Sequence, residues 1–271
     1  MPTSSLIITT YNWPRALELI FESVRLQVRP PDEIHIADDG SRPDTAAVIR
    51  AWQERLPMPV QHHWQEDIGF RPNPIRNEAA AHAGGDILIT IDGDMILHPH
   101  FVDDHVRHAR PGHFIQPRRI RLDPALTARA QKDGLYRFRW WERGVTRRHQ
   151  AIRSPLLARL LSSTDTSMGH IRGANMSMWR SDFLAVNGFN EDILGWGFPD
   201  HDLTARFYNL GLRRTYLRHA ALAYHLDHGD AQRDKVDRNR AILEQNRTGK
   251  VVQVANGLRQ NHEITHPETR G

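Results

Sequence analysis

Residues 86–95 read Asp-Ile-Leu-Ile-Thr-Ile-Asp-Gly-Asp-Met. Ile87, Leu88, Ile89 and Ile91 form an Ile-rich apolar run suited to a buried strand of a parallel sheet. Burying the two carboxylates that follow would be costly, so Asp92 and Asp94 belong where the strand leaves the sheet. Ligands of open α/β sheets bind at that carboxyl end. Alternate side chains of an extended segment point the same way, and Gly93 lets the backbone bend and approach closely. The pair therefore makes a hard oxygen site suited to Mg²⁺ or Mn²⁺ held by a diphosphate. The plain alternative is a strand closed by an Asp-Gly turn, and the tripeptide taken alone favours it.

The flanking sequence repeats the pattern. Leu6-Ile7-Ile8-Thr9-Thr10 reads as a first strand, and Tyr11-Asn12-Trp13-Pro14 turns into a helix over 14–27 with apolar positions at Leu17, Ile20, Phe21 and Val24. A second strand over 33–37 ends in Asp38-Asp39-Gly40-Ser41. A helix over 44–56, a short strand near 59–64 and a helix over 76–83 follow. Alternating strands and helices predict a parallel sheet with right-handed crossovers. Beyond residue 112 the alternation weakens. There 172–178 and 220–225 read as strands, 180–186, 200–210 and 232–246 as helices, and the last twenty residues as irregular.

Bulk properties narrow the class. The 271 residues, 39% hydrophobic and 25% charged, suit a soluble globular protein with a sizeable core. The chain has no cysteine, which excludes disulfides and thiolate chemistry and fits a reducing cytoplasm. No apolar stretch approaches the about 20 residues of a membrane span, and Met1-Pro-Thr-Ser-Ser-Leu lacks a signal-peptide layout. A cytoplasmic protein is expected. Its net charge of +4 is unevenly spread: residues 118–161 hold eleven Arg and one Lys against Asp123, Asp133 and Glu142. Tyr136, Phe138, Trp140 and Trp141 interleave with that charge, and Leu156, Leu157, Leu160 and Leu161 form an apolar helical stripe. Such a block points to a polyanion, and peripheral contact with an anionic membrane at its inner face is the expectation taken forward. A simply solvated basic face is the alternative.

Several motifs in one order resemble the family 2 glycosyltransferases with a GT-A fold. More narrowly, the chain resembles bacterial chondroitin-polymerase-type transferases whose second half is similar to the β-1,4-galactosyltransferase catalytic region. The carrying residues are Thr10-Tyr11-Asn12, Asp38-Asp39-Gly40-Ser41, Asp67-Ile68-Gly69-Phe70 with Arg76-Asn77, and Asp92-Gly93-Asp94. Gly173-Ala174-Asn175, Gly195-Trp196-Gly197 with Asp200 and Asp202, and Ala223-Tyr224-His225 complete the set. The resemblance implies an α/β, Rossmann-like and mostly parallel sheet flanked by helices, with a helical basic insertion and a C-terminal extension. The expected divisions are a nucleotide-sugar half (1–112), the basic and aromatic insertion (113–170), an acceptor-side half (171–231) and a C-terminal helix and tail (232–271).

The resemblance also implies a nucleotide-sugar donor, a UDP-sugar by expectation, and a glycan or lipid-linked acceptor. Asp38 or Asp39 would hold the uracil or ribose, with Thr10 and Tyr11 lining the base pocket. Arg76 and Asn77 would sit near the diphosphate or ribose, where a guanidinium fork suits phosphate. Asp94 would ligate Mn²⁺ or Mg²⁺, with Asp92 shared between ribose and metal shell and His225 as the distant ligand. His228 is a weaker candidate. Asp200 matches the position of the base in an inverting transfer; its alternative role is a first-turn helix carboxylate favoured by the dipole. Trp196 and Gly197 would offer a sugar platform, and Asp202 would stand on the acceptor side. One departure is plain: Phe198-Pro199-Asp200 replaces the usual Gly-Glu-Asp, so Pro199 stands where a sugar-binding glutamate is common.

Other classes fit less of the chain. A nucleic-acid-binding protein would account for the arginines and aromatics but not for three strand-end carboxylate motifs, so nucleic acid is not an expected partner. A nucleotidyltransferase would carry a glycine-rich N-terminal phosphate loop, and residues 6–16 contain no glycine. A catalytically impaired protein that binds nucleotide sugars or polyanions is the remaining alternative, on account of Pro199.

Overall fold

The computed structural model describes residues 1–229 and 235–264. Eleven strands and ten helices are named among them. The first half contains β1 (Ser4–Thr10), α1 (Pro14–Arg25), β2 (Glu33–Asp38), α2 (Pro43–Gln53), β3 (Val60–Trp64), α3 (Pro72–His82), β4 (Ile87–Asp92), β5 (Met95–Leu97) and α4 (Phe101–His108). The middle contains β6 (His113–Pro117), β7 (Arg119–Arg121), α5 (Pro124–Asp133), α6 (Pro155–Leu161) and β8 (Ser163–Asp165). The last part contains β9 (Asn175–Trp179), α7 (Arg180–Ala185), α8 (Pro199–Asn209), β10 (Arg213–Leu217), β11 (Ala223–His225), α9 (Val236–Thr248) and α10 (Leu258–Asn261).

Eight strands form one sheet in the order β3-β2-β1-β4-β9-β6-β10-β8. The strands from β3 to β4 are mutually parallel, β9 runs against both β4 and β6, and only β8 also opposes the common direction. This is the mostly parallel α/β sheet that the sequence predicts. The apolar run of β4 is buried as expected, and period-2 alternation splits it between two cores. Leu6, Ile8, Ile34, Ile36, Ile87 and Ile89 face one layer, while Ile7, Ala37 and Leu88 face the other. Helix α1 buries Leu17, Ile20, Phe21 and Val24 on the first layer. Each such side chain contributes about 1.5–3 kcal/mol on burial.

Three local outcomes differ from expectation. Helix α3 begins at Pro72, not at Arg76. Prolines at its first and third positions cost nothing, because those amides lack helical partners anyway. Residues 113–170 are not only a helical insertion: besides α5 and α6 they supply β6 and β8 to the large sheet and β7 to a small one. A short helix, α10, stands within the last twenty residues, which were expected to be irregular; the leucine stripe of α6, expected as helical, faces outward, with Leu156 and Leu160 66% and 67% exposed. Of the expected 232–246 helix, 232–234 lie outside the described residues, as do 265–271 of the tail. No helix among the described residues is long and apolar enough to cross a membrane.

The small sheet, β5-β11-β7, matters most for chemistry. Its register pairs His225 with Met95 and with Arg121, which puts Asp94 beside His225. The C-terminal segment packs onto the α3 side through Leu258 and through His262, whose ring nitrogens lie 2.6 Å from Glu78 Oε2 and 2.9 Å from Glu191 Oε1. Burial opposes protonation of His262, but the two carboxylates prevail and raise its pKa above the usual histidine value. A raised folded-state pKa stabilises below the unfolded value, near 6.5, and that stabilisation is lost as pH rises through the folded value. His262→Gln should therefore lower Tm at pH 6 by roughly 2–4 °C, the effect of about 1 kcal/mol in a domain of this size. The gap to the parent should narrow in alkaline buffer, and an equal gap at all pH values would refute the charged pairing.

Candidate active site

Parallel register gathers the residues expected on the donor side. Thr10 lies level with Asp38 and Thr9 with Asp92, so the polar ends of β1, β2 and β4 meet at one edge of the sheet. A Cβ on Gly93 would come within 2.5 Å of the Thr9 carbonyl, so only glycine permits this approach of β4's end to β1. Asp38 is fully buried; its Oδ1 accepts from the Ser41 amide at 2.8 Å and its Oδ2 lies 2.9 Å from His62 Nε2. Asp39 accepts from Gln65 and, at 2.9 Å, from the Arg71 amide. Burial raises the Asp39 pKa against the pull of those two bonds. Tyr11 is half-exposed and donates to Asp67 at 3.0 Å, while the buried Thr10 hydroxyl has no partner among the described residues.

Arg76 organises the centre. From α3 it donates to Thr9 Oγ1 (2.9 Å) and to Asp92 Oδ1 (2.8 Å), and its other terminal nitrogen stands 4.0 Å from Asp200 Oδ1. The guanidinium also lies over the Phe189 ring, 5.5 Å from its centroid. Burial pushes the Asp92 carboxyl up; Arg76 opposes that rise, and the like charges of Asp94 and Asp200 add to it. Asp200 occupies the first turn of α8, directly over Gly173. A Cβ at 173 would stand 1.8 Å from Asp200 Oδ1, so this glycine is the seat of the carboxylate.

Beside this group Asp94 Oδ2 meets His225 Nε2 at 3.2 Å and His228 Nε2 at 2.9 Å. Burial would raise Asp94, but hydrogen bonds from both histidines overcome it and hold the carboxyl at about 2. The same contact, read from the other side, lifts His228 to about 9. Ligand atoms of Asp94, His225 and His228 all lie within 4.8 Å of one another. The buried Asp94 Oδ1 and His225 Nδ1 have no hydrogen-bond partner among the described residues. One carboxylate, two imidazoles and an unmatched buried oxygen fit a divalent transition ion. Asp92 is outside this cluster, with one oxygen given to Arg76. His228, the weaker candidate from the sequence, stands as near Asp94 as His225 does, and its signal in the sequence is the His225-x-x-His228 spacing.

Two expected site residues are committed elsewhere. Asn77 is fully buried, and its amide group bonds the Phe189 carbonyl and amide and Glu191 Oε1, which takes it away from the donor. Asp202 is fully buried too, bonded to Arg206 Nε at 2.8 Å and to Asn246 Nδ2 at 2.7 Å, so it faces the interior and not an acceptor. Trp196 is 39% exposed. Its loop is carried by Asn239, an unanticipated residue of α9, whose amide donates to the Leu194 and Gly197 carbonyls.

The family model described as glycosyl transferase family 2 matches residues 5–162, and the one described as the N-terminal domain of galactosyltransferase matches residues 161–229. The chain belongs to glycosyl transferase family 2. Among relatives of this family 2 protein is validoxylamine A glucosyltransferase of Streptomyces hygroscopicus subsp. limoneus, 28% identical over 80% of this chain and 50% of that one. Hyaluronan synthase of Pasteurella multocida is 31% identical over 38% of this chain and 10% of its own length. The chain thus spans about half the length of the curated relatives that it matches most broadly. The fold is shared with mannosyltransferase PcManGT from Pyrobaculum calidifontis, solved in complex with GDP-Man and Mn²⁺. That structure is 18% identical with a TM-score of 0.57, covering 92% of this chain and 62% of that one. S. aureus TarS aligns with a TM-score of 0.61 at 15% identity, over 92% and 41%.

The geometry of this family 2 domain gives a direct test at Gly173. In Gly173→Ala the new methyl meets the end of a side chain, so the chain should fold with little change in Tm. Asp200 must shift by an ångström or more, which should lower turnover by about 10²-fold. Turnover close to that of the parent would detach Asp200 from the reaction.

Proposed function

We propose that the protein is a metal-dependent, inverting glycosyltransferase. It moves a sugar from a nucleotide donor, a UDP-sugar, to a hydroxyl of a glycan or lipid-linked acceptor in cell-surface polysaccharide or lipopolysaccharide assembly. The observation that carries this reading is Arg76, which joins the donor-side Asp92 to Asp200 beside the Asp94, His225 and His228 cluster.

The acceptor oxygen bonds to the anomeric carbon as the bond from that carbon to the donor diphosphate breaks. The electron pair leaves with the nucleotide, and the acceptor proton passes to a base. Asp200 takes that proton. Gly173 gives it room, the first turn of α8 favours its negative charge, and Arg76 limits its travel. Tyr11, Thr10 and the Asp38-Asp39 turn receive the nucleoside, with Asp39 fixed by Gln65 and Arg71. Asp94, His225 and His228 would hold the metal, and two imidazoles favour Mn²⁺ over the oxygen-seeking Mg²⁺. When bound, such an ion supplies positive charge to the departing diphosphate. Trp196 offers its exposed ring to a sugar. The exposed Trp140, Trp141, Leu156 and Leu160 beside the arginines of 118–161 support peripheral contact with an anionic membrane.

Asp200→Asn should keep UDP binding in the presence of Mn²⁺ while lowering sugar transfer by roughly 10²–10⁴-fold, the usual effect of removing a general base. Near-normal transfer would exclude Asp200. Asp94→Asn should abolish the Mn²⁺-dependent part of UDP binding measured by calorimetry, and His228→Ala should raise the Mn²⁺ concentration required. Unchanged binding in both variants would remove the cluster from metal binding.

A further inference from the structure

Next to the carboxylate cluster lies a cavity of about 540 Å³ whose wall carries Arg118, Arg119, Arg121, Arg147 and Arg172. Two carboxylates share that wall and both are occupied. Asp123 caps α5 by accepting from the Leu126 amide, and Asp227 stands 3.9 Å from Arg121. Arg118 is fixed in place by the Tyr216 hydroxyl and lies over its ring. The guanidinium groups of Arg119, Arg147 and Arg172 have neither a hydrogen bond nor an ion pair among the described residues. Burial lowers the Arg119 pKa, and the neighbouring charge of Arg172 lowers it further. Five arginines against two engaged carboxylates leave this wall, among the described residues, with an excess of positive charge that favours an anion arriving from outside.

The position of the cavity says which substrate that anion belongs to. Alternation along β7 sends Arg119 and Arg121 to one face while Ile120 is buried on the other. Strand β7 pairs directly with β11, so Arg121 is level with the candidate metal ligand His225, and Arg119 feels the charge of Asp94 and Asp92. None of Tyr11, Asp38, Asp39 and Arg76 lines the cavity. It opens beside the reacting centre, away from the nucleoside side. Guanidinium forks match phosphate oxygens with paired hydrogen bonds, and several forks exceed what one carboxylate can accept.

We propose that this cavity binds a phosphate group of the acceptor, so that the sugar is added to a phosphate-bearing molecule. This rests on the glycosyltransferase reading above. Whether the phosphate is carried by a soluble glycan or by a lipid headgroup, the recognising chemistry is the same.

The test is calorimetric titration of the full chain with inorganic phosphate, with UDP and Mn²⁺ already saturating. Saturable binding is expected. Arg147→Gln/Arg172→Gln, whose side chains are exposed, should weaken it by about tenfold or more, as for lost charge-assisted hydrogen bonds. Arg107→Gln, which only loses its pair with Asp103, should not. Absence of phosphate binding, equal weakening by Arg107→Gln, or phosphate binding that UDP abolishes would each overturn the proposal; the last would assign the arginines to the donor diphosphate. Co-sedimentation with phosphatidylglycerol vesicles separates the two sources. Vesicle binding that phosphate competes away supports a lipid-linked acceptor, and phosphate binding without vesicle binding supports a soluble one. Vesicle binding indifferent to phosphate and to the double variant overturns the cavity as the site. Phosphate binding by a chain that binds no UDP would refute the transferase reading and the acceptor role with it.

Discussion

Three carboxylates converge where β4 leaves the sheet, and the structure around them follows from the need to keep that much negative charge in a largely buried place. Asp92, Asp94 and Asp200 repel one another, and burial adds to the difficulty by raising Asp92. Compensation is divided. Arg76 serves Asp92 and Asp200 from α3, and the two histidines serve Asp94 from β11 and the turn after it. Removing one member of such a partly desolvated set leaves its partner without the opposite charge that holds it. The cluster is therefore held to one arrangement.

That arrangement obliges the two halves of the chain to behave as one body. Arg76 reaches across from the first half to Asp200 in the second, and its neighbours on α3 do the same with neutral groups. Asn73 donates to the Asn190 and Ile193 carbonyls, and Asn77 grips Phe189 and Glu191. Farther along, the Gly195 amide donates to the Phe70 carbonyl, which ties the loop of Trp196 to the loop after Asp67. Buried amides without partners are costly, so these bonds fix the Trp196 loop relative to the edge formed by the ends of β1, β2 and β4. Strand β9, inserted antiparallel beside β4, completes the join and brings Gly173 under Asp200.

Much of this was legible in the sequence, and the boundary of legibility has a physical cause. Strands β1, β2 and β4 announce themselves because both their faces are buried and they read as apolar runs. The three-residue strands β5, β7 and β8 carry no such pattern, and the charge of 118–161 hides the strands on either side of α5. The nearness of Asp94, Asp200 and His225 was legible because their motifs stand at strand and helix ends. That Asn77 and Asp202 are buried and hydrogen-bonded was not legible, for one shared reason. Their partners, Phe189 and Glu191 for one and Asn246 for the other, are far away in sequence, and only the fold reveals that a polar side chain is already satisfied. Residue type shows that a group has hydrogen-bonding capacity; it does not show whether that capacity is spent.

Pro199 illustrates the opposite exchange. At the place where the resembling pattern carries a glutamate, proline gives up a side chain able to bind a sugar and fixes the backbone at the first position of α8. The residue before it, Phe198, is held in the left-handed region at φ 67°, a conformation that costs a non-glycine residue about 1–2 kcal/mol. Packing offsets that cost, with His201 edge-on to the Phe198 ring at 5.3 Å and the Arg240 guanidinium over it at 5.5 Å. The helix therefore starts at a defined point and angle, and Asp200 follows one residue later. On the proposed reading, rigidity beneath Asp200 stands where the resembling pattern offers a sugar-binding side chain.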